Sequence, residues 1–252
     1  ISHPWGVVVA EFDDAALALS RLNAIRLVVR FQDGTLVDTD LADTLPPVCD
    51  LSVAAGSESV DVVVALPLLS ASGGNLDNGQ DSERPRRWKA ERVVVQELAG
   101  YESGELAILR HALTLRLSSQ ENTAYLTCPV ARLVRNAQGQ WSRDPAFIPT
   151  MLSLSASPLL TTELGDLLVR LQARRRRLMA MRRESNERMA DFAVADVSLF
   201  WLLNALNSAE PVLTELLQTP DRHPELLYRE LTRLAGSLLT FSLEHDAGDI
   251  PA

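Results

Sequence analysis

The chain has 252 residues, 46% hydrophobic and 23% charged, a mixture that excludes collagen, wholesale disorder and a polytopic membrane protein. Its net charge is −9 at pH 7, from 24 Lys plus Arg against 33 Asp plus Glu, a field that repels phosphate backbones and anionic lipid, so no nucleic-acid partner is expected. The longest apolar run, Val62–Leu69, contains Pro67 and falls far short of the roughly 20 residues of a membrane span, so no direct membrane insertion is expected. Cys49 and Cys128 are too few and too far apart for a zinc set or a disulfide scaffold, which suits a reducing cytoplasm. The opening ISHPWGVVVAEFDD has no basic n-region followed by an apolar h-region, so no signal peptide is visible, although a first residue other than Met leaves room for upstream sequence.

In chain order, the first part reads as short β-rich runs: Gly6–Glu11, Ala24–Phe31, Thr35–Asp38, Val60–Leu66, Arg92–Gln96, Leu106–Leu117, Thr123–Val134 and Met151–Ala156. In Ile25–Phe31 the apolar residues fall on odd positions and Arg26 and Arg30 on even ones, which predicts one buried and one wetter face. Gln32-Asp33-Gly34-Thr35 predicts a two-residue hairpin turn with positive φ at Asp33 and Gly34. Ser70–Pro85 has no apolar periodicity, and 70–86 is expected to be a mobile loop. After Pro158 the period becomes helical, and three helices are predicted at about 158–189, 191–219 and 224–245. The first carries Leu164, Leu168 and Leu171, the second Leu199, Leu202, Leu206, Leu213 and Leu216, and the third Leu227, Leu231, Leu234, Leu238 and Phe241. Steps of three and four make these the seams of helices packed side by side, within the subunit, against copies of it, or both. Pro211 predicts a kink, Pro224 the first turn of the third helix, and His223 its N-cap. The fold class is therefore α+β in two domains, an antiparallel β-sandwich over 1–157 and a helical bundle over 158–252.

Chemistry is sparse. G-x-S-x-G, the P-loop, G-x-G-x-x-G and H-E-x-x-H are all absent from the sequence, so neither an enzyme nor a cofactor is expected. Asn75, Asp77 and Gly79 resemble a calcium loop whose closing ligand would be Arg86, so no metal is expected either. His3, His111, His223 and His245 are dispersed, and a Glu210–His223 pair would lack a nucleophile. The seven arginines Arg174–Arg177, Arg182, Arg183 and Arg188 stand against Glu184 and Glu187, a local +5 against −14 for the rest. No aromatic is interleaved to stack bases, so these arginines are read as a solvated face or as partners of acidic groups on another subunit or protein. The four tryptophans are read as core plugs.

The residues also carry a resemblance. Pro4-Trp5-Gly6, Asp33-Gly34-Thr35, Asp144-Pro145-Ala146-Phe147-Ile148-Pro149, Ser157-Pro158, Ala205–Pro211 with Pro211 at its end, and His223-Pro224-Glu225 resemble, in order, landmarks of the TssK family of type VI secretion baseplate subunits. The resemblance implies a β-sandwich shoulder similar to phage receptor-binding proteins, a helical neck and a C-terminal head, without catalysis or cofactor. It further implies a homotrimer, cytoplasmic at the inner face of the inner membrane. That trimer would join the wedge proteins TssF and TssG to TssL and TssM of the TssJ–TssL–TssM membrane complex, the latter through the head. The chain starts at the Pro-Trp-Gly landmark and stops at Asp249–Ala252, where that head would begin. The alternative is a phage-like receptor- or glycan-binding tail module, which would expose Trp or Tyr beside Asp or Asn at loop tips.

Overall fold

The computed structural model describes residues 3–54, 56–77, 79, 84–187 and 194–251. They fall into two compact units, His3–Leu152 and the residues from Ser153 onward. The first contains β1 (Gly6–Asp13), β2 (Arg21–Arg30), β3 (Leu36–Asp38), β4 (Cys49–Asp50), β5 (Ser59–Pro67) and β6 (Leu76–Asp77). It continues with β7 (Trp88–Gln96), β8 (Ser103–His111), β9 (Thr114–Leu117), β10 (Tyr125–Arg135) and β11 (Trp141–Arg143). One sheet has the order β1-β2-β3 with β4 paired to β2, the next β11-β10-β5-β9, and the third β6-β7-β8. All pairings are antiparallel except β6 with β7.

The central place of β5 explains its composition. It is flanked on both sides, by β9 and β10, and is buried from Val62 to Pro67, so a run of valines replaces alternation. In β2 and just after it, Leu27, Val29 and Phe31 are fully buried beside Val28, whereas Ile25 is 55% exposed. The register explains this departure from the expected face. Glu11 pairs with Arg26 and Phe12 with Ala24, so Ile25 is the extra residue of a β-bulge and is turned out of the pattern.

Several expectations are corrected. Leu106–Leu117 is not one strand, because the chain turns at Ala112–Leu113 and its two parts, β8 and β9, enter different sheets. Met151–Ala156 is not a strand; Met151 makes a single parallel bridge to Val7, and Leu154–Ala156 is a 3-10 turn. The turn after β2 has positive φ at Gly34 (+87°) and not at Asp33. The Phe31 N–H donates to the Thr35 carbonyl at 2.8 Å, which makes the loop three residues long with glycine in the left-handed place. Within 70–86, Asn75 bonds both the N–H and the carbonyl of Ser70, and Arg86 bonds the Gly74 carbonyl, so Ser70–Asp77 is an organised turn ending in β6. Residues 78 and 80–83 of the expected loop lie outside the described residues.

Gly6 opens β1 at φ +138°, and a Cβ there would stand 2.7 Å from the Thr150 carbonyl oxygen. Gly6→Ala is therefore expected to cost about 2 kcal/mol or more, read as a lower melting temperature with unchanged secondary structure. A melt identical to the parent would refute the constraint.

The second unit holds α1 (Pro158–Glu187), α2 (Val194–Gln218) and α3 (Pro224–Leu239). The Ser157 hydroxyl accepts from the Leu160 N–H, and His223 Nδ1 accepts from the Glu225 N–H at 3.1 Å, so both helices start on a side-chain cap with proline next. α2 runs through Pro211 without a stop. α3 ends at Leu239, short of 245, because Ser242 accepts from the N–H groups of Glu244 and His245 and holds them in a turn. The chain then folds back, and the Tyr228 hydroxyl donates to the Pro251 carbonyl.

Candidate interaction surfaces

The polar side chains that the fold buries come first, since a catalytic site would be among them. Arg87 is 3% exposed. It donates to the Pro67 carbonyl at 3.0 Å, to Asp33 at 2.8 Å and to the Thr35 hydroxyl at 2.7 Å. Burial works to raise the Asp33 pKa, but bonds from the Thr35 N–H and hydroxyl and from Arg87 outweigh it and hold the carboxyl below the usual range. Nearby, His111 Nδ1 lies 2.8 Å from Asp43, with its ring 4.2 Å from that of Trp88. Burial again opposes ionisation of Asp43, and the His111 bonds prevail to lower its pKa. These groups lock the β2–β3 turn and the loop after β3 onto β5, β7 and β8, and none faces a cleft with a nucleophile. Sequence offered no local sign of Arg87, since its partners lie far away along the chain.

Nothing else converges. Glu210 pairs with Arg175 at 2.6 Å while His223 caps α3, so the Glu210–His223 pair considered above does not form. Two open grooves, of about 270 and 320 Å³, are lined respectively by Pro47, Val48, Val53 and Leu115, and by Ser57, Asp61, Ser118 and Arg132. In the second, Arg132 and Asp61 already bind each other at 2.6 Å. Among the described residues no three His, Cys, Asp or Glu side chains form a metal group, and no helix is long and apolar enough to cross a membrane. Both cysteines are buried. Burial pushes the Cys128 thiol up to about 12 and raises that of Cys49, so the thiolates that react are scarce at neutral pH. Iodoacetamide is expected to label neither in the native protein and both after denaturation; rapid native labelling would contradict the burial.

The landmark residues serve the fold in distinct ways. Trp5 precedes β1 and is half-buried, Gly6 meets the backbone at Thr150, and Asp33 and Gly34 form the turn that Arg87 grips. Asp144 accepts from the Ala146 N–H, Phe147 lies beneath Arg132, Ile148 is exposed and Pro149 is buried. Pro158 and Pro224 each begin a helix, and Pro211 lies on the open side of α2.

The helical seams close within the subunit. Leu164, Leu168, Leu171, Leu206, Leu213, Leu216, Leu227 and Leu234 are buried in one core, with Leu199, Leu202, Leu231 and Leu238 partly buried against it. Phe241 lies beyond α3, 37% exposed and outside that core. Trp201, read from sequence as a core plug, is 57% exposed on α2 beside exposed Phe200 and Val197, while Trp141 is buried at 4%. Of the arginine run, Arg175 is taken by Glu210, Arg182 lies over the Phe200 ring at 5.5 Å, and Arg188 is outside the described residues. The hairpin β7–β8 is open on both faces and exposes Leu98 and Tyr101 fully at its tip.

The chain is similar to known proteins along its whole length. A model of the bacterial type VI secretion family that includes EvfL, ImpJ and VasE matches residues 1–252. Type VI secretion system baseplate component TssK1 of Pseudomonas aeruginosa is 27% identical over 241 residues, 94% of this chain and 53% of the relative; the chain spans about half the length of that curated relative. A chain of the TssK–TssF–TssG baseplate subcomplex solved by cryo-electron microscopy is 69% identical with a TM-score of 0.92, over 100% of this chain and 80% of that one. A chain of the type VI secretion baseplate complex is 73% identical with a TM-score of 0.94, over 100% and 57%. TssK from the EAEC system, solved with a nanobody, is 69% identical with a TM-score of 0.88, over 100% and 82%. With a family model matched from end to end and the same fold in TssK structures, this α+β chain belongs to the TssK (VasE) family of bacterial type VI secretion.

Proposed function

We propose that this chain is a structural, non-catalytic subunit of a type VI secretion baseplate that assembles as a homotrimer and binds the wedge proteins TssF and TssG. In the assembled machine it stands in the cytoplasm at the inner face of the inner membrane. Contact with TssL and TssM is assigned to the part of the relatives that this chain does not span. The observation that carries the reading is the likeness along the whole chain to a member of a TssK–TssF–TssG subcomplex. The buried Arg87 supports it, since its guanidinium is taken up by Pro67, Asp33 and Thr35 as a brace of the fold. A glycan-reading module finds less support, because Tyr101, exposed at the β7–β8 tip, stands among Glu97, Gly100 and Glu102 with no Asp or Asn beside it, Trp141 is buried, and the exposed Trp201 lies on a helix.

The test is a co-purification of this chain with TssF–TssG and, separately, with the cytoplasmic parts of TssL and TssM, together with light scattering. Retention of TssF–TssG alone and a mass of about 83 kDa, three copies of 27.7 kDa, are expected of a closed three-fold assembly. A subunit that retains neither wedge protein and scatters as one chain would defeat the reading.

A further inference from the structure

β8 is the last strand of its sheet, and the direction of its backbone groups follows from its neighbour. The register with β7 runs unbroken from Trp88 opposite His111 to Gln96 opposite Ser103. Just beyond its two ends, the Ala112 N–H donates to the Arg87 carbonyl and the Glu97 N–H to the Glu102 carbonyl, both at 2.9 Å. Bonded pairs alternate along an antiparallel ladder, so Gly104, Leu106, Ile108 and Arg110 bond to β7. Ser103, Glu105, Ala107 and Leu109 aim their N–H and C=O groups the other way. His111, next in that outward series, donates its N–H to Asp43, and among the described residues no strand lies opposite the other four.

Free edges in soluble proteins are blunted by proline, lysine or a bulge, because a bare one pairs with other chains. Ser103–Leu109 has none of the three. Its flanks are apolar instead, with Val94 72% exposed, Leu106 54% and Leu109 52%. From Val93 to Leu109 the chain carries Glu97, Glu102 and Glu105 and no lysine or arginine. Glu105 reaches Arg92 at 3.6 Å, whereas Glu97 and Glu102, beside the tip, meet no cation among the described residues.

We propose that the free edge of β8 takes up an extended segment of a foreign protein as a further antiparallel strand. Main-chain bonds to Ser103, Glu105, Ala107 and Leu109 hold it, its alternate apolar side chains lie beside Ala107 and Leu109, and a lysine or arginine near its C-terminal end meets the carboxylates at the tip. A second copy of this chain pairing edge to edge would have to bring Arg110 to that tip, and Arg110 is already held by Glu91 and the Ala42 carbonyl. The inference goes beyond the wedge contact proposed above and needs neither that contact nor a trimer.

The probe is a fluorescein-labelled nonapeptide that alternates valine with threonine and ends in lysine, added to the whole chain. Saturable binding by fluorescence anisotropy is expected, with hydrogen exchange slowed at the amides of Ser103, Glu105, Ala107 and Leu109 and unchanged at Gly104, Leu106 and Ile108, which β7 already holds. Ala107→Pro removes one outward N–H without taking a bond from β7 and should weaken binding about tenfold or more. Ala107→Lys, which places a charge on the edge and leaves the backbone as it is, should weaken it as well, and Glu102→Lys should do so by repelling the terminal lysine. A probe that does not bind, or that binds without the alternating protection and equally to Ala107→Pro and Ala107→Lys, overturns the proposal. Protection of the four outward amides in the chain alone, fading on dilution, would give the edge to a second copy and overturn it too.

Discussion

Arg87→Ala is expected to lower the stability of the β unit by about 2–4 kcal/mol, the range for breaking a buried charge pair and orphaning its hydrogen-bond partners. Asp33 retains 37% of its side-chain exposure, and solvent can take over part of its hydration, which keeps the loss toward the lower end. With 1 kcal/mol worth about 2–4 °C in a domain of this size, the melting temperature should fall by about 4–16 °C. Arg87→Lys should recover little, since a single ammonium cannot reach the Pro67 carbonyl, Asp33 and the Thr35 hydroxyl from one position. The pH dependence has a definite sign. Asp33 and Asp43 both have depressed folded-state pKa values, so the stability they contribute is present above the unfolded value of about 3.9 and is lost as pH falls through the folded values. In Arg87→Ala the Asp33 share of that acid loss should shrink. A variant that melts with the parent at pH 7 and keeps the parent's acid midpoint would show that the guanidinium holds nothing.

Leu206→Ala should cost about 3 kcal/mol, within the 2–5 kcal/mol of buried leucine truncations. Leu206 is 2% exposed, in the core that Leu171 and Leu213 share. The change removes methyl groups from the middle of the bundle, where neighbours on α1 and α2 are too tightly held to fill the space. Phe200→Ala, on the exposed side of the same helix, is expected to cost much less in an isolated subunit. Chemical denaturation followed by the helical signal distinguishes them, and equal costs would mean that the assignment of inner and outer faces is wrong.

How much of this was legible in the chain follows from the range of the forces involved. Helical spacing of leucines is a local signal, and it located the core of the bundle because a helix has only one face that its neighbours can cover. Proline and histidine at 223–224 marked the start of α3 for an equally local reason. The bulge at Ile25 was illegible because it is set by the register with β1, a partner about a dozen residues away in sequence. The break between β8 and β9 was hidden because Ala112 and Leu113 are apolar and buried, so nothing in their chemistry distinguishes a turn into another sheet from more of the same strand. Nothing in the neighbouring sequence distinguishes Arg87 from Arg86. Only the fold brings it to Asp33 and Pro67. Trp201 was misread for the opposite reason, since a large aromatic in a periodic helix reads as core whichever way it points, and its side chain lies on the face that the leucines leave open.

The β unit begins and ends at the same place. The Val7 N–H donates to the Thr150 carbonyl at 2.9 Å and the Leu152 N–H to the Val7 carbonyl at 2.8 Å, so the first strand has its last partners at the far end of the unit. On the ribosome this imposes a wait. The nascent chain can pair β1 with β2 early, but the edge at Val7 stays open until Thr150–Leu152 has left the exit tunnel, and by then α1 is being synthesised behind it. Contacts of such long sequence separation also slow folding in free solution. Until they form, an unpaired strand edge is offered to neighbouring chains. A cell producing this protein quickly would therefore be expected to lean on chaperones for the β unit far more than for the helices, whose contacts come from consecutive segments.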